Sequence, residues 1–183
     1  GPRYSVIHTV PYDRERTAMQ EFPKCAACEA DYTNPENRRH HAQTIACEEC
    51  GPKLFLLDGE GNEVSGDPIE ETAKLLDEGE ILAIRGIGGF HIACIESAAE
   101  KLKRVLGRPN QALAVMMLEE TMQEYVVPPT KSERELLTGP VHPILILDKR
   151  DPQSHPELSK LHNLGVMLPY TALHHLLFQK LKS

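Results

Sequence analysis

Cys25, Cys28, Cys47 and Cys50 form two Cys-x2-Cys knuckles separated by 18 residues. A two-residue gap turns both thiolates of a knuckle toward one ion. Two such knuckles close a tetrahedral four-sulfur site of the kind zinc occupies. The stretch between them is polar and nearly free of large apolar side chains. The metal must therefore supply much of the local folding energy, on the order of 10 kcal/mol. Four thiolates leave no position for water or substrate, which makes this a structural zinc rather than a catalytic one. Two disulfides are the competing assignment. The acidic chain opens without a signal peptide, which argues for a reducing cytosol where such bridges are rare. His40 and His41 lie inside the loop and could compete as ligands, but beside four well-spaced cysteines they read better as surface or packing residues.

A second candidate is Arg85-Gly86-Ile87-Gly88-Gly89-Phe90. Glycines let backbone N–H groups approach an anion closely, and Arg85 adds charge beside them. The run stands between two apolar segments instead of opening a helix, unlike a dinucleotide fingerprint, and it lacks the Gly-Lys-Ser/Thr of a phosphate loop. A plain strand-to-strand turn accounts for it equally well. Lys101, Lys103, Arg104 and Arg108 gather on a helix and the turn after it. They could hold phosphate, although a solvated helix face is the simpler reading. Strand alternation puts Cys94 opposite His91, which disfavours a Cys/His pair and leaves Cys94 as a buried structural thiol. His174 and His175 are helix neighbours about 100° apart. They make a poor chelating pair, one facing a pocket and one facing solvent. No Ser-His-Asp order, paired-carboxylate motif or His-Glu-x-x-His site occurs, so no residue is assigned as catalytic.

The elements that must position these groups alternate. A strand at Tyr4–His8, a helical turn capped by Thr17, and a strand at Leu54–Leu57 flank the cysteines. Asp67-Pro68 starts a helix with a capping carboxylate and proline at its first position, and Gly79 ends it. Ile69, Ala73 and Leu76 form its apolar stripe. Ile81–Ile84 is predicted as a buried strand, followed by an extended Phe90–Ile95. Ser97 is expected to cap a helix through Leu106, with Leu102, Val105 and Leu106 facing inward. Strands at Ala112–Leu118, Ile144–Leu147 and Leu164–Leu168 follow. Helices are expected at Glu119–Val126 and Lys131–Leu137, and a last one at Thr171–Leu181 with Leu173, Leu176, Leu177 and Leu181 inward. Asp148–Asn163 reads as a surface loop. The fold class is α/β, an α+β mixed sheet with helices packed against it, preceded by the four-cysteine module.

The net charge is −7, and residues 1–50 hold six Lys/Arg against eight Asp/Glu. That disfavours a zinc ribbon on nucleic acid, which needs clustered positive charge. No apolar run approaches the ~20 residues of a bilayer span. The expected location is the cytoplasm.

The chain also repeats itself loosely: Gly1-Pro2-Arg3-Tyr4-Ser5-Val6-Ile7 aligns with Gly51-Pro52-Lys53-Leu54-Phe55-Leu56-Leu57. A tag remnant at Gly1-Pro2 is the alternative. Taken with this repeat, three runs resemble the HypF family of hydrogenase maturation carbamoyltransferases: Cys25 to Pro52 with Arg38-Arg39-x-His41-Ala42-Gln43 between the knuckles, Arg85–Ala93, and Leu164–Leu177. The opening residues resemble the segment that follows the first of that family's two four-cysteine modules. The resemblance implies residues 1–24 as the tail of a preceding zinc-module repeat, 25–57 as a zinc finger, and 58–183 as part of a YrdC-like nucleotide-binding domain. It implies an internal piece of a larger enzyme, inactive alone. The whole enzyme uses carbamoyl phosphate and ATP, with Mg2+, to form carbamoyl-adenylate, and passes the carbamoyl group to a C-terminal cysteine of a HypE-like acceptor. It further implies Arg85, Gly86, Gly88, Gly89, Arg104, Arg108, Tyr170, Thr171 and His174 as nucleotide-site candidates. The chain departs from the family pattern in two ways. Gln111 takes the place of an expected lysine, a charge-assisted contact of ~1.5–3 kcal/mol, with the segment from Cys94 to Gln111 about three residues short and Arg85 replacing a common lysine; and the chain stops at Ser183, before the rest of a YrdC-like domain. A threonylcarbamoyl-adenylate synthase of the YrdC type, or a non-catalytic zinc-stabilised binding module, are the rival expectations.

Overall fold

The computed structural model describes residues 6–86 and 89–182. They divide into two compact units, one running to Phe55 and the other from Leu56.

The first unit is built from short pieces. Two 3-10 turns, Arg14–Arg16 and Ala18–Glu21, are capped by the side chains of Asp13 and Thr17. The helix α1 (Ala26–Thr33) follows directly from Cys25. Tyr4 and Ser5 of the predicted first strand lie outside the described residues; beyond them Ile7 forms a single antiparallel bridge with Thr17. The interior is held by a buried arginine. The Arg14 guanidinium donates to the carbonyls of Phe22, Gln43 and Ile45 at 2.7–3.0 Å, and the Arg14 backbone N–H donates to Gln43 Oε1. Charge-assisted bonds of this kind satisfy backbone groups that the unit has no sheet to pair.

In the second unit the predicted strand at Leu54–Leu57 is only a bridge between Leu57 and Glu63, closing the Asp58–Asn62 turn. Helix α2 (Pro68–Asp77) forms as its caps dictate: the Asp67 carboxylate accepts from the N–H groups of Ile69 and Glu70, and Gly79 takes φ +83 past the C-terminus. Strands β1 (Leu82–Arg85) and β2 (Phe90–Ala93) make a two-stranded antiparallel sheet. The expected buried strand is in fact half exposed, because β1 is covered on one face only. A 3-10 turn at Glu96–Ala98 leads into α3 (Ala99–Val105), so Ser97 caps nothing. Val105 and Leu106, expected inward, are exposed, since the helix ends beneath them.

A separate three-stranded sheet has the order β3 (Ala114–Met116), β5 (Asn163–Met167), β4 (Leu145–Asp148), with β3 parallel and β4 antiparallel to β5. The alternating Leu164 and Val166 of β5 point into the core with Ala99, Met117, Met122, Val126, Leu137, Leu147, Leu158 and Leu168. On the other face of β5, a Cβ at Gly165 would meet Ile144 Cγ2 at 3.2 Å, so glycine permits the close approach there. Helix α4 (Met122–Tyr125) is shorter than expected. Helix α5 (Lys131–Thr138) carries a full capping box from Thr130 and Glu133. Helix α6 (Ala172–Lys180), capped by Thr171, buries His174 and Leu177 and leaves Leu176 exposed, against the expected inward face. It packs against α2, where Lys180 pairs with Glu70 at 2.7 Å.

Candidate functional site

The four cysteines converge. Sγ separations are 3.6 Å for Cys25 and Cys47, 3.7 Å for Cys47 and Cys50, and 3.6 Å for Cys50 and Cys28. Sulfurs about 2.3 Å from one tetrahedral zinc would stand about 3.8 Å apart, so the donor set fits this ion with little movement. Electrostatics argues the same way. Backbone N–H groups at Cys25 and Cys47 bring the Cys50 thiol down to about 6, whereas burial and the neighbouring sulfurs push Cys28 up to about 12. Four thiolates at this spacing need a cation to ionise together. Helix α1, starting at Ala26, places Cys28 inward with 2% exposure. His40 and His41 are exposed and outside the sulfur cluster. Tyr32 donates to Gln43, and His41 rests beside the Tyr32 ring.

The second site is assembled by segments far apart in sequence. The described residues flanking this run pair with one another: Gly86 N–H donates to Gly89 carbonyl at 2.7 Å, and Arg85 pairs with Phe90 in register. That N–H is therefore spent within this pairing, while the exposed Arg85 guanidinium lies over the Phe90 ring, 5.7 Å from its centroid. Gly88 lies outside the described residues. A Cβ at Gly86 would meet His91 Nε2 at 3.2 Å, so the glycine makes room for this imidazole. His91 Nε2 lies 3.0 Å from Tyr170 Oη, and the Tyr170 ring meets His174 edge-on at 4.7 Å. His142 joins the group 6.0 Å from Tyr170, with its Nδ1 buried and without a hydrogen-bond partner among the described residues. Burial, then the neighbouring His91 and His175, lowers the proton affinity of His174. It stays neutral and can accept at Nδ1, where Tyr170 N–H lies at 3.5 Å. Thr171 accepts from His174 N–H and fixes the start of α6 beneath the cluster. His175 is exposed.

Arg85, Gly86, Gly89, Tyr170, Thr171 and His174 thus belong to one neighbourhood. The basic cluster does not hold together as one face. Arg104 and Arg108 are exposed. Lys101 pairs with Glu80 at 3.0 Å. Lys103 is only 1% exposed, with Nζ 3.9 Å from Glu100 and no hydrogen bond among the described residues. Its position explains this: Ala99, Leu102 and Lys103 share one face of α3 and all three are buried. Gln111 is exposed. Cys94, expected fully buried, is half-buried, and burial raises its thiol. Sequence reasoning gave His91 and His142 no role in this site; only the position of His91 inside the Arg85–Ala93 run pointed to it.

Residues 25–57 match the family model described as HypF finger, and residues 74–183 match the one described as Telomere recombination, which covers YrdC-type proteins. The chain is 43% identical over 180 residues to the carbamoyltransferase HypF of Rhodobacter capsulatus, covering 97% of this chain and 24% of that protein. It is 44% identical over 187 residues to a probable carbamoyltransferase HypF of Methanocaldococcus jannaschii, covering 98% and 24%. The crystal structure of T. kodakarensis HypF superposes with a TM-score of 0.84 at 41% identity, over 98% of this chain and 24% of that one. A crystal structure of full-length HypF in the phosphate- and nucleotide-bound form gives a TM-score of 0.81 at 38% identity, over the same shares. The chain spans about a quarter of the length of the curated relatives it matches. Among the described residues no helix is long and apolar enough to cross a membrane.

Proposed function

The chain belongs to the YrdC-type family, with a HypF finger joined to it, and on that premise we propose that it is the finger and nucleotide-handling segment of a HypF-type carbamoyltransferase. The whole enzyme would first hydrolyse carbamoyl phosphate to carbamate and phosphate; a carbamate oxygen then attacks the α-phosphorus of ATP, giving carbamoyl-adenylate, and pyrophosphate leaves. A cysteine thiolate of a HypE-like acceptor then attacks the carbamoyl carbon, and AMP leaves. Such chemistry needs two reactants held close and charge stabilised at the α-phosphate. Arg85, exposed beside the Gly86–Gly89 pairing, is placed to meet phosphate. The wall of His91, Tyr170 and His174 would hold the carbamate by hydrogen bonds. The four cysteines hold a structural zinc that orders residues 25–50.

The observation that carries this reading is the 3.0 Å contact between His91 and Tyr170, 79 residues apart, which joins the arginine–glycine run to the segment opening α6. Calorimetric titration of the chain with Mg-ATP tests it. Binding is expected, weakened at least tenfold by Arg85→Ala, and tightened by about tenfold or more by Gln111→Lys, the return of one charge-assisted phosphate contact of ~1.5–3 kcal/mol. An absence of binding, or binding indifferent to Arg85, would overturn the nucleotide assignment.

A further inference from the structure

Glu96, His155 and Glu157 form a second convergence of metal-binding side chains, separate from both sites above. One donor atom from each lies within 4.8 Å of the others. His155 Nδ1 contacts Glu96 Oε1 directly and stands 4.0 Å from Glu157 Oε1. Donors about 2.0–2.2 Å from a shared ion stand about 3–4 Å apart, so small side-chain rotations would close this set around one cation. The three side chains are 24–31% exposed, open enough for an ion to enter.

The groups around the triad hold its donors in place. Buried Lys149 donates from Nζ to the carbonyls of Ser154 and Ser159, both at 2.6 Å, and so folds the loop that presents His155 and Glu157. The loop is anchored by Leu158, which enters the core while its carbonyl accepts from Leu113 N–H. Tyr125 stacks on the His155 ring, with centroids 4.5 Å apart, and donates its hydroxyl to Glu96 Oε2 at 3.3 Å. This is the outer-shell orientation that metal-binding imidazole and carboxylate groups receive. His155 adopts φ +51, a conformation costly for most residues and tolerated by His and Asn. Lys149 offsets part of the Glu157 charge while committed to backbone carbonyls, and burial, then the neighbouring Glu157, pushes the Glu96 carboxyl up from its ordinary value.

We propose that Glu96, His155 and Glu157 bind a divalent first-row transition ion, Mn2+ or Zn2+. An imidazole donor disfavours Mg2+ and Ca2+, which prefer oxygen throughout, and a mixed set of one imidazole and two carboxylates suits Mn2+ and Zn2+. Three protein donors leave coordination positions for water. The bound ion would pin the 150–159 loop to the turn after β2.

Mn2+ is the probe, because it does not displace zinc from four thiolates. Zinc-loaded protein is titrated with Mn2+ and the free-ion electron paramagnetic resonance signal is followed. One Mn2+ per chain is expected at micromolar concentration, retained in tenfold excess Mg2+ and released by added Zn2+. Glu96→Gln and His155→Asn should each weaken it at least tenfold, and asparagine keeps the left-handed backbone. His162→Asn, beside Asp148 at 3.8 Å, should leave it unchanged. Glu157→Gln, at the rim, gives the same readout if either other variant melts early in the absence of added ion. Binding only at millimolar concentration, ready displacement by Mg2+, or wild-type affinity in Glu157→Gln would overturn the site.

Discussion

Among the described residues up to Phe55, only Met19, Cys28 and Ile45 are buried hydrophobic side chains, while the unit from Leu56 closes a cluster of ten around β5. The first unit puts a guanidinium and four sulfurs where the second puts leucines and valines. A unit of about 50 residues buries too little apolar surface to offset its chain entropy, so metal and charge-assisted bonds must supply the difference. The second unit has enough sheet and helix to fold by burial alone. Stability in one should therefore be separable from stability in the other, and the separation can be attacked from either side.

The largest effect should come from the metal. Stripping zinc with a strong chelator removes on the order of 10 kcal/mol of coupled binding and folding. Hydrogen exchange should then lose amide protection across Ala26–Thr33 and keep it across Leu145–Asp148 and Asn163–Met167. Loss of protection in both units together would break the comparison. The converse test is Leu164→Ala, at a residue 1% exposed in the centre of the core. It should cost about 2–5 kcal/mol, lowering the urea midpoint of the second unit while the zinc content by colorimetric chelation stays at that of the wild type.

Arg14→Met is the next smaller test, and it stays within the first unit. It leaves the carbonyls of Phe22, Gln43 and Ile45 without their donors, at a cost of about 3 kcal/mol. The expected readout is faster zinc loss to a competing chelator, with the urea transition of the second unit unmoved. An unaltered rate of zinc loss would mean that the sulfurs alone hold the finger.

What was legible in the sequence follows from how local each determinant is. The knuckle spacing and the Asp67-Pro68 start with its Gly79 stop act within a few residues, and each appears as read. The helix face carrying Lys103 is also present in the sequence, at the spacing of Ala99 and Leu102, and that periodicity, not the charge of the side chain, sets its burial. Ser97 failed as a cap because a 3-10 turn beginning after Ile95 carries the chain into α3. The His91–Tyr170 pair and the Glu96–His155 pair join residues 79 and 59 apart. No spacing rule reaches that far; only the sheet and the 150–159 loop bring those groups together.

The smallest expected effect separates the units by pH. His174 is 5% exposed, and burial, then His91 and His175, lowers its proton affinity in the folded state. Above the ordinary histidine value of about 6.5 it is neutral whether folded or unfolded, and its contribution is constant. Below that value the unfolded chain takes up a proton that the folded chain still refuses, so stability falls as pH drops, until His174 itself is protonated at its lowered value. His174→Gln should flatten this decline in the urea midpoint of the second unit between about pH 7 and 5. The first unit responds to acid for another reason: its thiolates must be protonated before zinc leaves. Zinc release should therefore follow the same pH curve in His174→Gln as in the wild type. A shift of that curve with the substitution would mean that the imidazole cluster and the sulfur cluster are coupled, and that the two units do not keep separate accounts of stability.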